Sequence, residues 1–230
     1  MTKKFKWFTM RPFAPRHLKK LVVKLQEGAY SEAVGKGFVV DEVRERSATF
    51  RYIERNDVTE TIQSPLGGQT EYRLVTYNQC IFDLSVDWPQ CEIQDGFRLA
   101  TKVFNLLASH LDFGVVIEDQ EVHLSRLVDA LRRNTPDIQF VAMVVTDIQV
   151  DGHSSARCEI SSTEDAFAKI KLITQARAHH LSQIKFRWYI NGRECVGSVS
   201  SDGRCSLAAH ECDLAALHLK KVVGMSVKES

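Results

Sequence analysis

The sequence predicts an α+β protein: antiparallel β-meander sheets with helices packed on one face, divided into two sub-domains. Three patterns carry this expectation. Apolar and polar residues alternate over many short segments, as on half-buried strands. Five other segments repeat their apolar residues at helical spacing. Asp-Gly and Asn-Gly pairs between apolar runs mark tight hairpins in place of long crossovers.

In chain order, the first helix starts near Pro15, with Leu18, Leu21, Val22 and Leu25 on one face, Lys19, Lys20 and Lys24 pointing away, and Gly28 ending it. Phe38–Arg46 and Ser47–Arg55 read as a hairpin, Asn56-Asp57 as a turn and Val58–Gln63 as a short strand. Ser64-Pro65-Leu66-Gly67-Gly68 breaks the pattern, and Glu71–Asn78 and Cys80–Asp87 complete a five-strand meander. In the last strand Phe82, Leu84, Val86 and Trp88 share one face, and Asp83, Ser85 and Asp87 the other. A helix follows over Phe97–Leu111 with Asp95 as its N-cap, then a strand over Phe113–Ile117. The next helix, Glu121–Arg133, aligns Leu124, Leu127, Val128 and Leu131 and stops at Asn134-Thr135-Pro136.

The second half opens with Ile138–Val150, apolar on both faces and so a central strand. Asp151-Gly152 turns it into Ala156–Ser161. Ser162 and Asp165 start a helix to about His180, with Phe167, Ile170, Ile173 and Ala176 or Arg177 inward. Ile184, Phe186, Trp188 and Ile190 then alternate with Lys185, Arg187 and Tyr189. Asn191-Gly192 leads into Glu194–Ser200, and Ser201-Asp202-Gly203 into one more strand. A last helix runs from about Glu211 to Val223 through Leu214, Leu217 and Val222. The expected organisation is an arm with an amphipathic helix (1–28), a β-meander plus helices (29–134), and a β-β-α-β-β-β-α sub-domain (135–230).

Composition narrows the class. The chain has 230 residues, 44% hydrophobic and 26% charged, which excludes collagen-like and disordered chains. No apolar run approaches the ~20 residues of a membrane span, and the first residues lack the apolar core of a secretory signal. These features are those of a cytoplasmic protein. Its six cysteines are then expected as reduced, mostly buried thiols.

Charge is uneven. Before Glu27 the chain carries eight cations and no acid: Lys3, Lys4, Lys6, Arg11, Arg16, Lys19, Lys20 and Lys24. Thirty cations less these eight leave 22 against 29 acids, so a +8 segment precedes a body of net −7. Such a block seeks an acidic partner: nucleic acid, or an acidic protein surface. Phe5, Trp7, Phe8 and Phe13 lie among these cations, and rings beside cations suit single-stranded nucleic acid. Docking of the same aromatics into the body is the alternative. Lys185, Arg187 and Tyr189 form a second candidate set on one strand face. The candidate binding residues are therefore Lys3, Lys4, Lys6, Trp7, Arg11, Arg16, Lys19, Lys20, Lys24, Lys185, Arg187 and Tyr189.

Catalytic motifs do not emerge. Gly35-Lys36-Gly37 lacks the third glycine of a dinucleotide fingerprint and precedes a strand. Gly197-Ser198-Val199-Ser200 lacks the second glycine of a nucleophile elbow. Pro136-Asp137 with Glu159-Ile160-Ser161 resembles a metal-nuclease skeleton in which serine replaces lysine, and Asp83 and Asp87 share a strand face without a lysine. Cys195, Cys205, His210 and Cys212 lack the paired spacing of a zinc site, and His179-His180 fits a helix C-terminus. No catalytic residue, metal or cofactor is assigned. The expected function is a non-enzymatic binding module contacting nucleic acid through a basic N-terminal arm. The alternatives are a subunit of a multi-protein assembly or homo-oligomer whose arm docks onto an acidic partner, and a hydrolytic enzyme with a spatially assembled site. No membrane partner is expected.

Overall fold

The computed structural model describes residues 2–135, 137–151, 153–174 and 177–228. The mixed helix-and-antiparallel-sheet architecture is the expected α+β class. Contacts divide the chain into two compact units, Thr9–Glu118 and a second unit of Met1–Phe8 with Asp119–Ser230. The first strand, β1 (Thr2–Arg11), contributes to both. Among the described helices none is long and apolar enough to cross a membrane.

The unit Thr9–Glu118 contains α1 (Pro15–Glu27), β2 (Lys36–Val43), β3 (Ser47–Gln63), β4 (Gln69–Ser85), β5 (Cys91–Gln94), a 3₁₀ turn at Phe97–Leu99 and α2 (Ala100–His110). Strands β2 to β5 pair antiparallel in sequence order. Ala48, Phe50 and Tyr52 face Leu84, Phe82 and Cys80 across the β3–β4 ladder, and all six are buried. Leu18, Leu21 and Leu25 of α1, with Val103 and Leu107 of α2, complete this core.

The five short strands expected here are fewer and longer. Asn56 and Asp57 do not turn, because each has a cross-strand partner, Thr76 and Val75, within an unbroken register. Pairing outweighs the local turn preference, and the segments on either side merge into two 17-residue strands. Asp95 does not cap a helix. It and Gly96 both take left-handed φ values, of 54° and 68°, to bring the chain beside β4. A side chain at Gly96 would meet the Gln79 carbonyl oxygen at 2.1 Å, so only glycine fits. The strand expected at Phe113–Ile117 is shifted to β6 (Val116–Asp119).

The second unit continues with α3 (Leu124–Asn134), β7 (Gln139–Gln149), β8 (Ser155–Ser161), α4 (Ala166–Thr174), β9 (His180–Ile190), β10 (Arg193–Ser200), β11 (Arg204–Ala208) and α5 (Cys212–Lys228). Its antiparallel sheet has the order β1-β11-β10-β9-β7-β8, so β7 is an interior strand flanked by β9 and β8, one position in from the edge. Asn191 and Gly192 take φ of 52° and 73°, the left-handed pair a two-residue hairpin requires. Phe5, Trp7, Phe140, Ile184, Phe186, Trp188, Val199 and Leu207 form the core, with Leu127, Val128 and Leu131 from α3. Arg132 of α3 lies 5.4 and 5.2 Å from the Phe140 and Phe167 rings and pairs with Asp165.

Two helices differ from expectation. On α5, Ala215, Ala216, Leu219, Val222 and Val223 face inward, while Leu214 and Leu217 are exposed. Both stripes satisfy the helical period, and the alanines allow the closer approach of backbones. Helix α4 ends at Thr174, so His179 and His180 do not sit at its C-terminus. His180 opens β9 opposite Thr146. The expected features at Pro136, Gly152 and Ala176 lie outside the described residues.

Gly197 sets the packing height of the sheet. A Cβ there would stand 2.8 Å from the Phe186 ring and 3.0 Å from Leu207, and both neighbours are fully buried. Gly197→Val is expected to destabilise the protein by about 1–3 kcal/mol through overpacking. Urea unfolding should show a lower midpoint with an unchanged slope.

Candidate functional site

The leading residues are a strand, not a free arm. Thr2–Lys6 pair with Arg204–Ala208 of β11, and the Trp7 N–H donates to the Gly203 carbonyl at 3.1 Å. Alternation then sends successive cations to opposite faces. Lys3 points to the helix side, where its Nζ lies 2.9 Å from Asp213, beside fully buried Phe5 and Trp7. Phe8 is buried as well, so these three rings offer no face on which a base could stack.

The expected binding residues scatter over several surfaces. Lys6 lies 2.8 Å from Asp119 and 4.0 Å from Asp202. In the other unit Lys20 pairs with Asp112 at 2.5 Å and Lys24 with Glu27 at 2.7 Å. The Arg16 Nε donates to His17 at 3.2 Å, while Arg11 and Lys19 are exposed. Of the arm, Lys4 alone joins the second candidate set.

That set occupies the open face of the second sheet. Residues opposite each other in an antiparallel ladder share a face, so register defines rows across it. One row runs Lys4, Ser206, Ser198, Lys185 over β1, β11, β10 and β9. Three strand spacings separate its two lysines, roughly 14 Å between backbones. The adjacent row runs Ala208, Val196, Arg187, Gln139. Tyr189, 54% exposed, stands opposite Glu194 at the next position of β9 on this face.

Ion pairing grades the cations of this face. Lys4 and Lys185 are exposed and pair with no acid among the described residues. The Arg187 Nε donates to the Gln139 side-chain oxygen at 2.7 Å, and its guanidinium lies 3.7 Å from Glu194. Arg204 is held by Asp202 at 3.1 Å. Burial opposes ionisation of Asp202, but the Ser200 hydroxyl and the charges of Arg204 and Lys6 bring its carboxyl below the usual value. Asp202 is therefore an anion that neutralises Lys6 and Arg204. What remains is two free lysines at the ends of a serine row, with a partly engaged arginine and an exposed tyrosine beside them.

The alternation on β9 made Lys185, Arg187 and Tyr189 legible in sequence. Ser198 and Ser206 carried no signal of their own; only the register of three remote strands places them between the lysines.

Elsewhere several chemistry-bearing side chains have structural partners. Asp83 accepts from the Thr49 hydroxyl at 2.6 Å and from Gln94 at 2.7 Å, and Asp87 binds Arg46 through two contacts of 2.7 and 2.8 Å. All six cysteines are free thiols. The Cys212 thiol donates to the Ala209 carbonyl at 3.1 Å, and His210 meets Arg193 at 2.7 Å. Burial and then the neighbouring Cys212 raise the Cys195 thiol above its usual value, and burial pushes Cys80 up to about 12. Among the described residues no group of three His, Cys, Asp or Glu converges to hold a metal ion. No protein-family model matches this sequence, and no curated protein matches it.

One half-buried histidine has a consequence for stability. His218 of α5 lies 2.8 Å from the buried Thr135 hydroxyl, and burial, then Lys221, lower its pKa below the ordinary value. The unfolded chain therefore takes up this proton first as pH falls. Stability is expected to decline below about pH 6.5. His218→Gln should remove that part of the slope, as read from urea midpoints at pH 7.5 and 5.5.

Proposed function

We propose that this protein is a non-enzymatic module that binds single-stranded nucleic acid on the open face of β1, β11, β10 and β9. The observation that carries the reading is the row Lys4–Ser206–Ser198–Lys185, whose terminal cations are exposed and pair with no acid among the described residues. Unpaired lysines attract phosphates and release counterions on contact. Serine hydroxyls between them can donate to phosphate or sugar oxygens. The Tyr189 ring supplies a stacking surface, and stacking of this kind contributes about 1–3 kcal/mol per base. A flat sheet suits a single strand whose bases are splayed out. This face takes the role that the sequence suggested for an arm.

Fluorescence anisotropy with labelled DNA and RNA oligonucleotides tests the proposal. Three phosphate contacts, from Lys4, Lys185 and Arg187, give an expected log–log salt slope of roughly −2 for a single strand. Lys4→Glu and Lys185→Glu should each weaken binding and flatten that slope by about 0.7. Tyr189→Ala should weaken binding about 5- to 150-fold with the slope unchanged. Lys20→Glu and Lys24→Glu, whose cations are already paired, should change little. Absence of binding at low salt, or wild-type affinity in the doubly substituted Lys4→Glu, Lys185→Glu protein, overturns the proposal. Membership of a protein assembly is favoured by a different surface, on the other unit.

A further inference from the structure

Beyond residue 56 the β3–β4 hairpin leaves the body of its unit as a two-stranded ribbon. From Asp57 to Asn78 every side chain is exposed, including Val58, Ile62, Tyr72, Leu74 and Val75, and Leu66 at the tip is 98% exposed. Strand β2 covers β3 only as far as Glu54, and β5 covers β4 only from Ile81 to Leu84. An isolated two-stranded ribbon is marginal in water, whereas three or more strands are not. Its charges, Asp57, Glu60 and Glu71 against Arg73, are mostly acidic and disfavour nucleic acid.

The free edge of β4 has a defined hydrogen-bonding phase. The β3–β4 register has no bulge over 17 pairs, and at the turn the Ser64 N–H donates to the Gly68 carbonyl. At the far end Ser85, which is odd-numbered, donates outward to Gln90. Even-numbered residues of β4 therefore bond to β3, and the odd-numbered residues between Gln69 and Val75 turn their N–H and C=O groups outward. No proline, glycine or lysine blunts this stretch, Gln69-Thr70-Glu71-Tyr72-Arg73-Leu74-Val75. Such an edge is a template for another strand.

Charge selects the strand that fits. When two copies of β4 pair antiparallel about a two-fold axis through Tyr72, Glu71 stands opposite Arg73 of the partner subunit, and Arg73 opposite the partner's Glu71. Both pairs fall on outward-bonding residues, so backbone and side-chain complementarity coincide. A two-fold axis through Glu71 or Arg73 would place like charges together, and one through Leu74 would pair neither. On the β3 edge an axis through Glu60 opposes two acids, and an axis through Val58 or Thr59 matches no charges.

We infer that the β4 edge of the ribbon is a homodimerisation surface, joining two copies into a four-stranded intermolecular sheet centred on Tyr72. The contact is isologous and closes at two copies. Seven residues a side make an interface below the standard size, so the dimer is weak and depends on concentration.

Sedimentation equilibrium of the full chain between 1 and about 200 μM is expected to show a monomer–dimer equilibrium in the micromolar range. Arg73→Glu replaces two attractive pairs by two repulsive ones and should weaken the dimer about tenfold or more. The double variant Glu71→Arg, Arg73→Glu recreates the pairs in reverse and should return near wild-type affinity. Tyr72→Cys should form an intermolecular disulfide under mild oxidation, because directly opposed residues at a non-hydrogen-bonded position are close. Circular dichroism verifies that each variant is folded. A monomer at every concentration, an undiminished Arg73→Glu dimer, failure of the double variant to recover, or no Tyr72→Cys cross-link each overturns the inference.

Discussion

Burial of Phe5 and Trp7 on one side of β1 organises the second unit. Fully burying an aromatic side chain contributes about 1.5–3 kcal/mol, whereas an exposed ion pair contributes about 0–1 kcal/mol. The rings therefore decide the conformation of the leading residues, and the lysines follow from it. Once the segment is a strand bonded to β11, Lys3 must meet α5 and Lys4 must meet the open face. A run that is uniformly cationic in sequence is thereby split, with Lys3 and Lys6 neutralised against their own unit and Lys4 displayed.

The display is selective because acids are distributed as carefully as cations. Asp119 and Asp202 remove Lys6, and Asp202 also removes Arg204, leaving Lys4 and Lys185 at opposite ends of a row of small hydroxyl side chains. Bulky residues at 198 and 206 would stand between the two lysines. Asp83, Asp87 and Cys212, three of the groups that a hydrolytic or metal centre could have used, are instead bonded within the fold.

The ribbon of the other unit obeys a different logic. Its base is held by α1 and α2 over Phe50, Tyr52 and Phe82, yet the same two strands extend past any helix. Ordering each such residue costs about 1–2 kcal/mol of backbone entropy, with little burial to offset it. Its apolar side chains and free backbone groups are thus the least satisfied part of the described structure.

Local pattern determined much of this protein without help. The α1 and α3 stripes, the alternation on β9 and the Asn191-Gly192 turn were all legible, because spacing alone assigns a face and a pair of left-handed residues assigns a hairpin. The alternation Lys4-Phe5-Lys6-Trp7 was equally present, but the charge run masked it. Asn56-Asp57 looked like a turn because turn preference is local, while the partners that keep it extended lie some twenty residues away. Of the two helical stripes on α5, only packing could choose. Tertiary structure alone decided which residues of β1, β11, β10 and β9 stand in one row, since face is a property of a single strand and register is a property of pairs.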